Sequence, residues 1–523
     1  MRFRILVPLL LVSSIQSIAQ KKISADVCVY GVTSSGVIAA YTAANTGKKV
    51  ILAGPASHPG GLSSGGLGNT DIGNKIAITG LSRDFYHRVG IHYGKNEQWI
   101  FEPHVAEEIF KDYIREGGFQ VLYNQSLSSV QKRGNQLEGI QTYSTKNRKS
   151  EDGFIIHAKV FIDCSYEGDL MAMSGVLFII GREDNEKYHE TWNGVQLLDK
   201  HQFPEGISPY KIPGKPESGL LWGISSAELA SRGSGDQKIQ AYNFRLCLTD
   251  SIENRIDISR PPIYDSSRYE LLLRYIAKKN PVSLEEGILN FNLMPGRKTD
   301  INNNGPFSTD MIGMNYDYAN GDPKTRKDIT EAHISYTKGL LFFLGHDRRV
   351  PEQLRMEMLR WGYPKDEFTD NDHWSPQLYI RESRRMISDY VMTESNCTGK
   401  TIAEDSIGMA AYTMDSHNCQ RLVVDGMVRN EGDVQIGGFP PYPVSYRSIV
   451  PKQNECANLL VPVCLSASHI SYGSIRMEPV FMVLGQSAGA AAAMAIDLQM
   501  PVQKVPVKKL QQELKDNPLA RRR

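Results

Sequence analysis

Apolar positions along the chain fall into short runs separated by glycine turns, and the first two runs with the stretch between them describe a unit. Asp26-Val27-Cys28-Val29-Tyr30 is an apolar run that stops at Gly31. From Gly36 to Asn45, Ala and Val recur at helical spacing; Gly47 supplies a stop, and Lys49 to Ala53 is a second apolar run. Short apolar runs beside glycine read as buried strands, and a period near 3.6 between them reads as a helix. Strand, glycine turn, helix and strand within about 30 residues predict the opening βαβ unit of a doubly wound α/β nucleotide-binding fold.

The pattern continues in the same idiom. Glu102 to Glu116 carries apolar residues at helical spacing, residues 120–143 alternate around Gly134-Asn135 as a hairpin does, and Lys159 to Asp163 is another buried strand. From about 185 to 440, Pro, Asn, Asp and Tyr rise and helices are separated by long polar loops. Near the end, Glu478-Pro479 precedes an apolar run from Val480 to Ile496 with Gly485, Gln486, Gly489 and four alanines from Ala490. Proline starts a helix well, and a run this short with a glutamine inside predicts a buried core helix rather than a membrane span. The nucleotide-binding domain is therefore discontinuous. It takes residues 23–184 plus 441–500, with 185–440 an inserted α+β substrate domain and 501–523 a C-terminal polar tail.

Composition narrows the partners. With 59 Lys and Arg against 58 Asp and Glu, the net charge of +1 supplies no field for nucleic acid or anionic lipid. The start is more telling. Met1-Arg2-Phe3-Arg4 is basic, Ile5 to Ile15 is mostly apolar, and Ser17-Ile18-Ala19 places small residues where a signal peptidase cuts. Residues 1–19 read as a signal peptide, so the expected protein is periplasmic or secreted with no stable membrane anchor. The seven cysteines are scattered without a C-x-x-C pair, which supports neither a disulfide framework nor a metal site.

Chemistry concentrates at glycines. Gly31-Val32-Thr33-Ser34-Ser35-Gly36 keeps the outer glycines of G-x-G-x-x-G but has Thr33 in the middle, where glycine lets a pyrophosphate approach. Thr33 still offers an amide and a hydroxyl, at a steric cost. The acid that usually ends the second strand and holds a ribose is missing, since Ala53-Gly54-Pro55 occupies its place. Gly60, Gly61, Gly65, Gly66, Gly68 and Gly73 are interleaved with Leu62, Leu67 and Ile72, so they predict an ordered loop whose backbone closely approaches another group.

Four further passages carry a resemblance: Gly60-Gly61-Leu62-Ser63-Ser64-Gly65-Gly66-Leu67, Ile162-Asp163-Cys164-Ser165-Tyr166-Glu167-Gly168-Asp169-Leu170, Tyr379-Ile380-Arg381-Glu382-Ser383-Arg384-Arg385, and Ser468-His469-Ile470-Ser471-Tyr472-Gly473-Ser474-Ile475-Arg476-Met477-Glu478-Pro479. With the first turn, they make the chain resemble the FAD-dependent oxidoreductase family over nearly its whole mature length. The departures are Val32 for a second glycine, Gly54 for the acid, and Pro59 before the paired glycines. The resemblance implies a Rossmann-like FAD-binding domain. Gly31, Thr33, Ser34, Ser35 and Gly36 would hold the pyrophosphate, and Gly60, Gly61, Ser64, Gly65 and Gly66 would lie along the ribityl chain and flavin. Leu127 or Val130 would offer backbone to the adenine, and Asp163 and Cys164 would close a strand end near the nucleotide. The helix starting at Glu478, with Val480 and Phe481, would aim amides at the flavin's pyrimidine edge, where its N-terminal partial charge favours electron-rich flavin.

Substrate-side candidates follow from residue type. His417 and His469 have the imidazole that takes a proton from an alcohol or amine while flavin accepts hydride. Arg381, Arg447 and Arg476 can anchor a carboxylate or hydroxyl-rich molecule, and Tyr446 can add a hydrogen bond. Asp300, Asn302 and Asn303 suggest a sugar contact, a cation site or plain turn chemistry. His58, just before the paired glycines, is placed for a covalent tether to FAD. The expected protein is an exported FAD oxidoreductase acting on a polar small molecule or saccharide, with an electron acceptor that the sequence does not identify. A lyase or isomerase without net oxidation, or a non-catalytic binding protein on this scaffold, are the alternatives.

Overall fold

Val27–Tyr30, four fully buried residues, form β1, the central strand of a five-stranded parallel sheet in the computed structural model, which describes residues 20–146 and 152–522. The leader expected at 1–19 lies outside the described residues. Beside β1 lie β2 (Val50–Ala53) and then β3 (Gln120–Leu122); on its other side lie β4 (Val160–Asp163) and β5 (Leu459–Leu460). Val27 pairs with both Val50 and Val160, so β1 is buried on both edges. The strand order reverses between β1 and β4, and ligands of such sheets bind at the carboxyl ends beside that reversal.

Two of the first three helices follow from the patterns read above. In α1 (Ser34–Asn45) every residue is buried, because the helix has the sheet on one side and other helices on the rest of its surface. The next, α2 (Gly80–His92), leads to α3 (Pro103–Gly117), whose apolar face packs on α1 and whose end is marked by Gly118 at φ 63°. After the inserted region come α4 (His469–Ile475) and α5 (Glu478–Asp497). Although α5 is long and apolar enough to cross a membrane, it is almost wholly buried against α1 and α2. Its two glycines make that approach possible. A Cβ at Gly485 would lie 2.4 Å from the Ser35 carbonyl oxygen, and one at Gly489 would lie 2.4 Å from that of Ala39.

A four-stranded sheet built from Lys21–Ser24, Phe154–His157, Gln136–Ser144 and Gln125–Arg133 covers the second face of the parallel sheet, with Gly134-Asn135 at the hairpin turn. The inserted region contains an antiparallel five-stranded sheet in the order Arg255–Asp257, Gly362–Pro364, Leu246–Thr249, Lys298–Asn303, Leu289–Met294. It also contains the long helix Pro323–His346. One apolar core runs through both regions, joining Val29, Ile38 and Leu52 to Leu248, Ile301 and Leu344. The C-terminal segment departs from the polar tail expected at 501–523. Val507–Asp516 forms α6, which packs on α5 with Leu510 fully buried. Val507, Leu510 and Leu514 share one helical face, a stripe hidden by the polar average of the segment.

Candidate functional site

The carboxyl end of β1, the start of α1 and the start of α5 meet at one point. Gly31 adopts φ 107°, and a Cβ there would lie 2.5 Å from Cys164 C and Ser165 N, so only glycine lets the turn pass the end of β4. Gly36 is equally constrained, by the Gly31 carbonyl oxygen at 1.9 Å from its would-be Cβ. Thr33 needs no glycine, since its φ is −79°. Its hydroxyl caps α1 by accepting from Gly36 N (3.1 Å) and donates to Cys164 O (2.8 Å). From the other side of the gap, Glu478 reaches across from α5. It accepts from Ser34 Oγ, from Ser63 Oγ (3.1 Å) and from Tyr166 Oη (2.6 Å). Burial raises its carboxyl pKa although these three donors pull the other way. One side chain therefore ties together the first turn, the glycine segment and the segment after β4.

A cleft of about 370 Å³ lies on the inserted side of this junction. Arg476, two residues before α5, connects the two: its guanidinium donates to Asp415 Oδ2 (2.7 Å) and Tyr379 Oη (2.8 Å), both in the cleft wall. Arg381 lies over the Tyr379 ring, 4.2 Å from its centroid, and donates to Asp310 Oδ1 (2.7 Å) and Ala241 O (2.9 Å). His417 sits between two carboxylates, with Nδ1 2.7 Å from Asp310 Oδ2 and Nε2 3.5 Å from Asp415 Oδ2. Burial and Arg381 oppose a charge on His417, but Asp310 and Asp415 outweigh them and raise its pKa above 6.5. Burial also works against charge on Asp310, yet Arg381 and His417 hold its carboxyl down at about 2. Tyr412 Oη donates to Asp71 Oδ1 (3.4 Å), and that carboxylate, together with burial and Asp415, keeps the phenol protonated. Asn302 and Asn303 complete this wall. A larger cavity of about 900 Å³ lies at the opposite ends of α1 and α5, beside Lys48 and Arg522. Those are the carboxyl ends of the two helices, away from the glycine turn and the start of α5, so size does not locate the chemistry.

The sequence model for FAD dependent oxidoreductases matches residues 26–514. The chain belongs to that family. It is an FAD-dependent oxidoreductase enzyme, and FAD is its cofactor. No curated protein sequence matches it. Solved structures show partial likeness. One is the anhydrotetracycline hydroxylase OxyS from Streptomyces rimosus, at 10% identity and TM-score 0.25, covering 37% of this chain and 39% of that one. Another is THI4 from Thermovibrio ammonificans, at 18% identity and TM-score 0.24, covering 31% of this chain and 67% of that one. A third is a flavoprotein/dehydrogenase from Cytophaga hutchinsonii, at 16% identity and TM-score 0.23, covering 29% and 42%.

The residues at the junction fit FAD. The N-termini of α1 and α5 converge there, which suits a pyrophosphate and an electron-rich flavin edge. Arg476 Nε is buried without a hydrogen-bond partner at the start of α5, a cationic donor left for a bound group. In the first turn of α5, Phe481 N donates to Met477 O and Pro479 has no N–H, so the Glu478 and Val480 amides are the donors that would face a bound flavin edge. Gly60 and Gly66 have φ of 104° and 119°, and a Cβ at Gly61 would collide with Tyr166 Oη, so the backbone path is closed to other residues. Two of the three departures meet in space: a Cβ at Gly54 would lie 3.0 Å from both Val32 Cγ2 and the Val32 backbone N, so the first turn itself leaves little room for a side chain at 54.

Several candidates have other work in the structure. Asp163 is fully buried and accepts from Ser165 N, Ser165 Oγ and Met171 N, so it shapes the turn after β4 while burial pushes its pKa up to about 6. Cys164 contributes its carbonyl to Thr33, and burial pushes its thiol up. The Leu127 amide is already bonded to Tyr30 Oη (3.0 Å). Ser64 Oγ donates to Pro59 O. His469 does not line the cleft: Nδ1 faces Glu382 (2.8 Å) and Nε2 faces Ser416 Oγ (3.0 Å). Asp300 is buried in a bidentate pair with Arg245, Arg447 pairs with Asp405 outside the cleft, and Tyr446 Oη donates to Val502 O. Both ring nitrogens of His58 face carboxylates, which argues against a tether to FAD through this residue. Glu102, His104 and Glu367 approach as metal ligands would, but the Lys298 ammonium sits against Glu102 (2.8 Å) and Glu367 (2.7 Å) and supplies the counter-charge. Asp71, Tyr379 and Tyr412 escaped sequence reasoning as cleft residues, and Asp310 as the partner of His417 and Arg381, because each lies in a loop without a spacing pattern.

Proposed function

We propose that this enzyme oxidises a hydroxyl-rich small molecule of the saccharide class. The observation that carries the reading is the cleft wall, which contains amide, carboxylate, guanidinium, imidazole, ammonium and phenol groups and no aliphatic side chain. Such a wall rewards a ligand that presents many hydroxyls and leaves buried polar groups unpaired beside an apolar one. FAD at the junction supplies the hydride acceptor. Asn302, Asn303 and Asp71 bind substrate hydroxyls, and Arg381, fixed by Asp310 and Tyr379, orients them. His417 in its neutral form keeps its Nδ1 hydrogen bond to Asp310 and takes the proton of the reacting hydroxyl at Nε2, which stands 3.5 Å from Asp415, as the carbon loses hydride; Asp310 and Asp415 stabilise the imidazolium that results. Arg476 joins the cleft wall to the start of α5. The basic, apolar leader supports export, so the reaction takes place in the periplasm or outside the cell, and a separate acceptor removes the electrons.

Anaerobic titration of the purified yellow protein tests this. Neutral and acidic sugars should bleach the visible flavin bands, and apolar alcohols should not. Bleaching by apolar alcohols alone would sink the substrate class. Turnover of a sugar to a product of the same oxidation level would instead favour the lyase or isomerase reading.

A further inference from the structure

His58 is too well paired to tether FAD and is placed for a different task. It follows β2, two residues before Gly60, where the chain enters the glycine segment. Its Nδ1 lies 3.0 Å from Glu107 Oε1 on α3, and its Nε2 lies 2.9 Å from Asp370 Oδ2 in the inserted region. Asp370 belongs to a tightly wound loop, residues 366–374, in which Phe368, Asp372 and His373 all adopt left-handed φ between 49° and 57°. Three non-glycine residues in that conformation cost energy, and they persist only where surrounding contacts hold the loop in place. Those contacts are visible at both ends. Glu367 is pinned by Lys298 Nζ (2.7 Å) and the His104 amide (3.0 Å), while Ser375 Oγ donates to the Gly65 carbonyl. Just beyond, a Cβ at Gly65 would lie 2.6 Å from Gln377 Cβ, so the chain leaving the loop rests directly on the glycine segment.

We propose that His58 clasps loop 366–374 to α3 and thereby closes the inserted region over the glycine segment, slowing release of FAD. The clasp depends on the imidazolium, which is attracted to carboxylates on both sides. The charged groups facing it are Glu107 and Asp370, with Lys111 paired to Glu107 (2.9 Å) and the Tyr123 phenol next to the same carboxylate. The hydrogen bond that His58 Nδ1 donates to the Glu107 carboxylate raises the His58 pKa against partial burial, and Asp370 adds to the rise. The clasp is therefore complete below that pKa and loosens as pH climbs through it.

The test uses the flavin-loaded full chain, with FAD release followed by its fluorescence as the protein is diluted at several pH values. Wild-type release should accelerate by about two- to fivefold as pH rises through the His58 pKa, the change expected for a partly exposed ion pair. His58→Gln should release FAD at the faster rate throughout, with no pH dependence. Asp370 is 61% exposed, so Asp370→Asn will fold; it should show part of the acceleration, and Asp370→Glu should restore the slow rate. Equal release from wild type, His58→Gln and Asp370→Asn at every pH would overturn the clasp. A pH-dependent acceleration that survives in His58→Gln would do the same.

Discussion

His417 differs from an isolated imidazole in the direction that matters for its chemistry. Two carboxylates favour its charged form, so the neutral base needed to start an alcohol oxidation becomes abundant only above the ordinary histidine range. We expect kcat/KM for oxidation to rise with pH through a pKa above 6.5, and His417→Gln to lose that rise and about 10²–10⁴-fold in rate. A rate that falls over the same interval would show that the protonated form acts instead. The residue types at this site were legible in the sequence, but their partners were not. Asp163 and His469 carry suitable groups and stand in conspicuous motifs. Their polar atoms are occupied: those of Asp163 by the turn that directly follows it, through Ser165 and Met171 N, and Nδ1 of His469 by Glu382, which folding brings from 87 positions away.

The βαβ unit and the closing helix show how far periodicity reaches at the scale of elements. Apolar spacing near 3.6 residues located α1 and α3, with α5 legible from a proline followed by a continuous apolar run too short to span a membrane. It missed α6, whose three apolar residues are diluted by lysine and glutamine. The glycines of α5 make the sharper case, since their purpose appears only once α1 lies against them. Gly485→Val would press side-chain carbon into the Ser35 carbonyl, a neighbour that belongs to backbone and cannot swing aside. We expect this variant to lose about 1–3 kcal/mol of stability, read as a lower midpoint in chemical denaturation. It should also retain less FAD per chain, because the same displacement separates the two helix N-termini. Full FAD content in a destabilised Gly485→Val protein would refute the second expectation.

At the scale of the whole molecule, the junction proposed to hold FAD is assembled from segments separated by 444 positions, which the Ser34–Glu478 hydrogen bond joins. The apolar core continues from the nucleotide-binding region into the inserted one. FAD should therefore stabilise the entire chain rather than one part. At free FAD about 100-fold above its Kd, the gain is about 2.7 kcal/mol. In calorimetry of the flavin-loaded protein, both regions should unfold in one transition that moves up with added FAD. Two transitions, of which only one responds to FAD, would show that the inserted region folds independently.

The sequence by itself determined the parallel α/β framework, the glycine turn and the helix that closes the domain, because each depends on local periodicity or on backbone angles that only glycine tolerates. Tertiary structure alone decided that the turn at Val32 leaves little room for a side chain at 54, that Glu478 joins the first turn, the glycine segment and the turn after β4, and that His417 lies against Asp310. Those are distances that local periodicity does not set. Burial and neighbouring charge, rather than residue type, set what such groups can do.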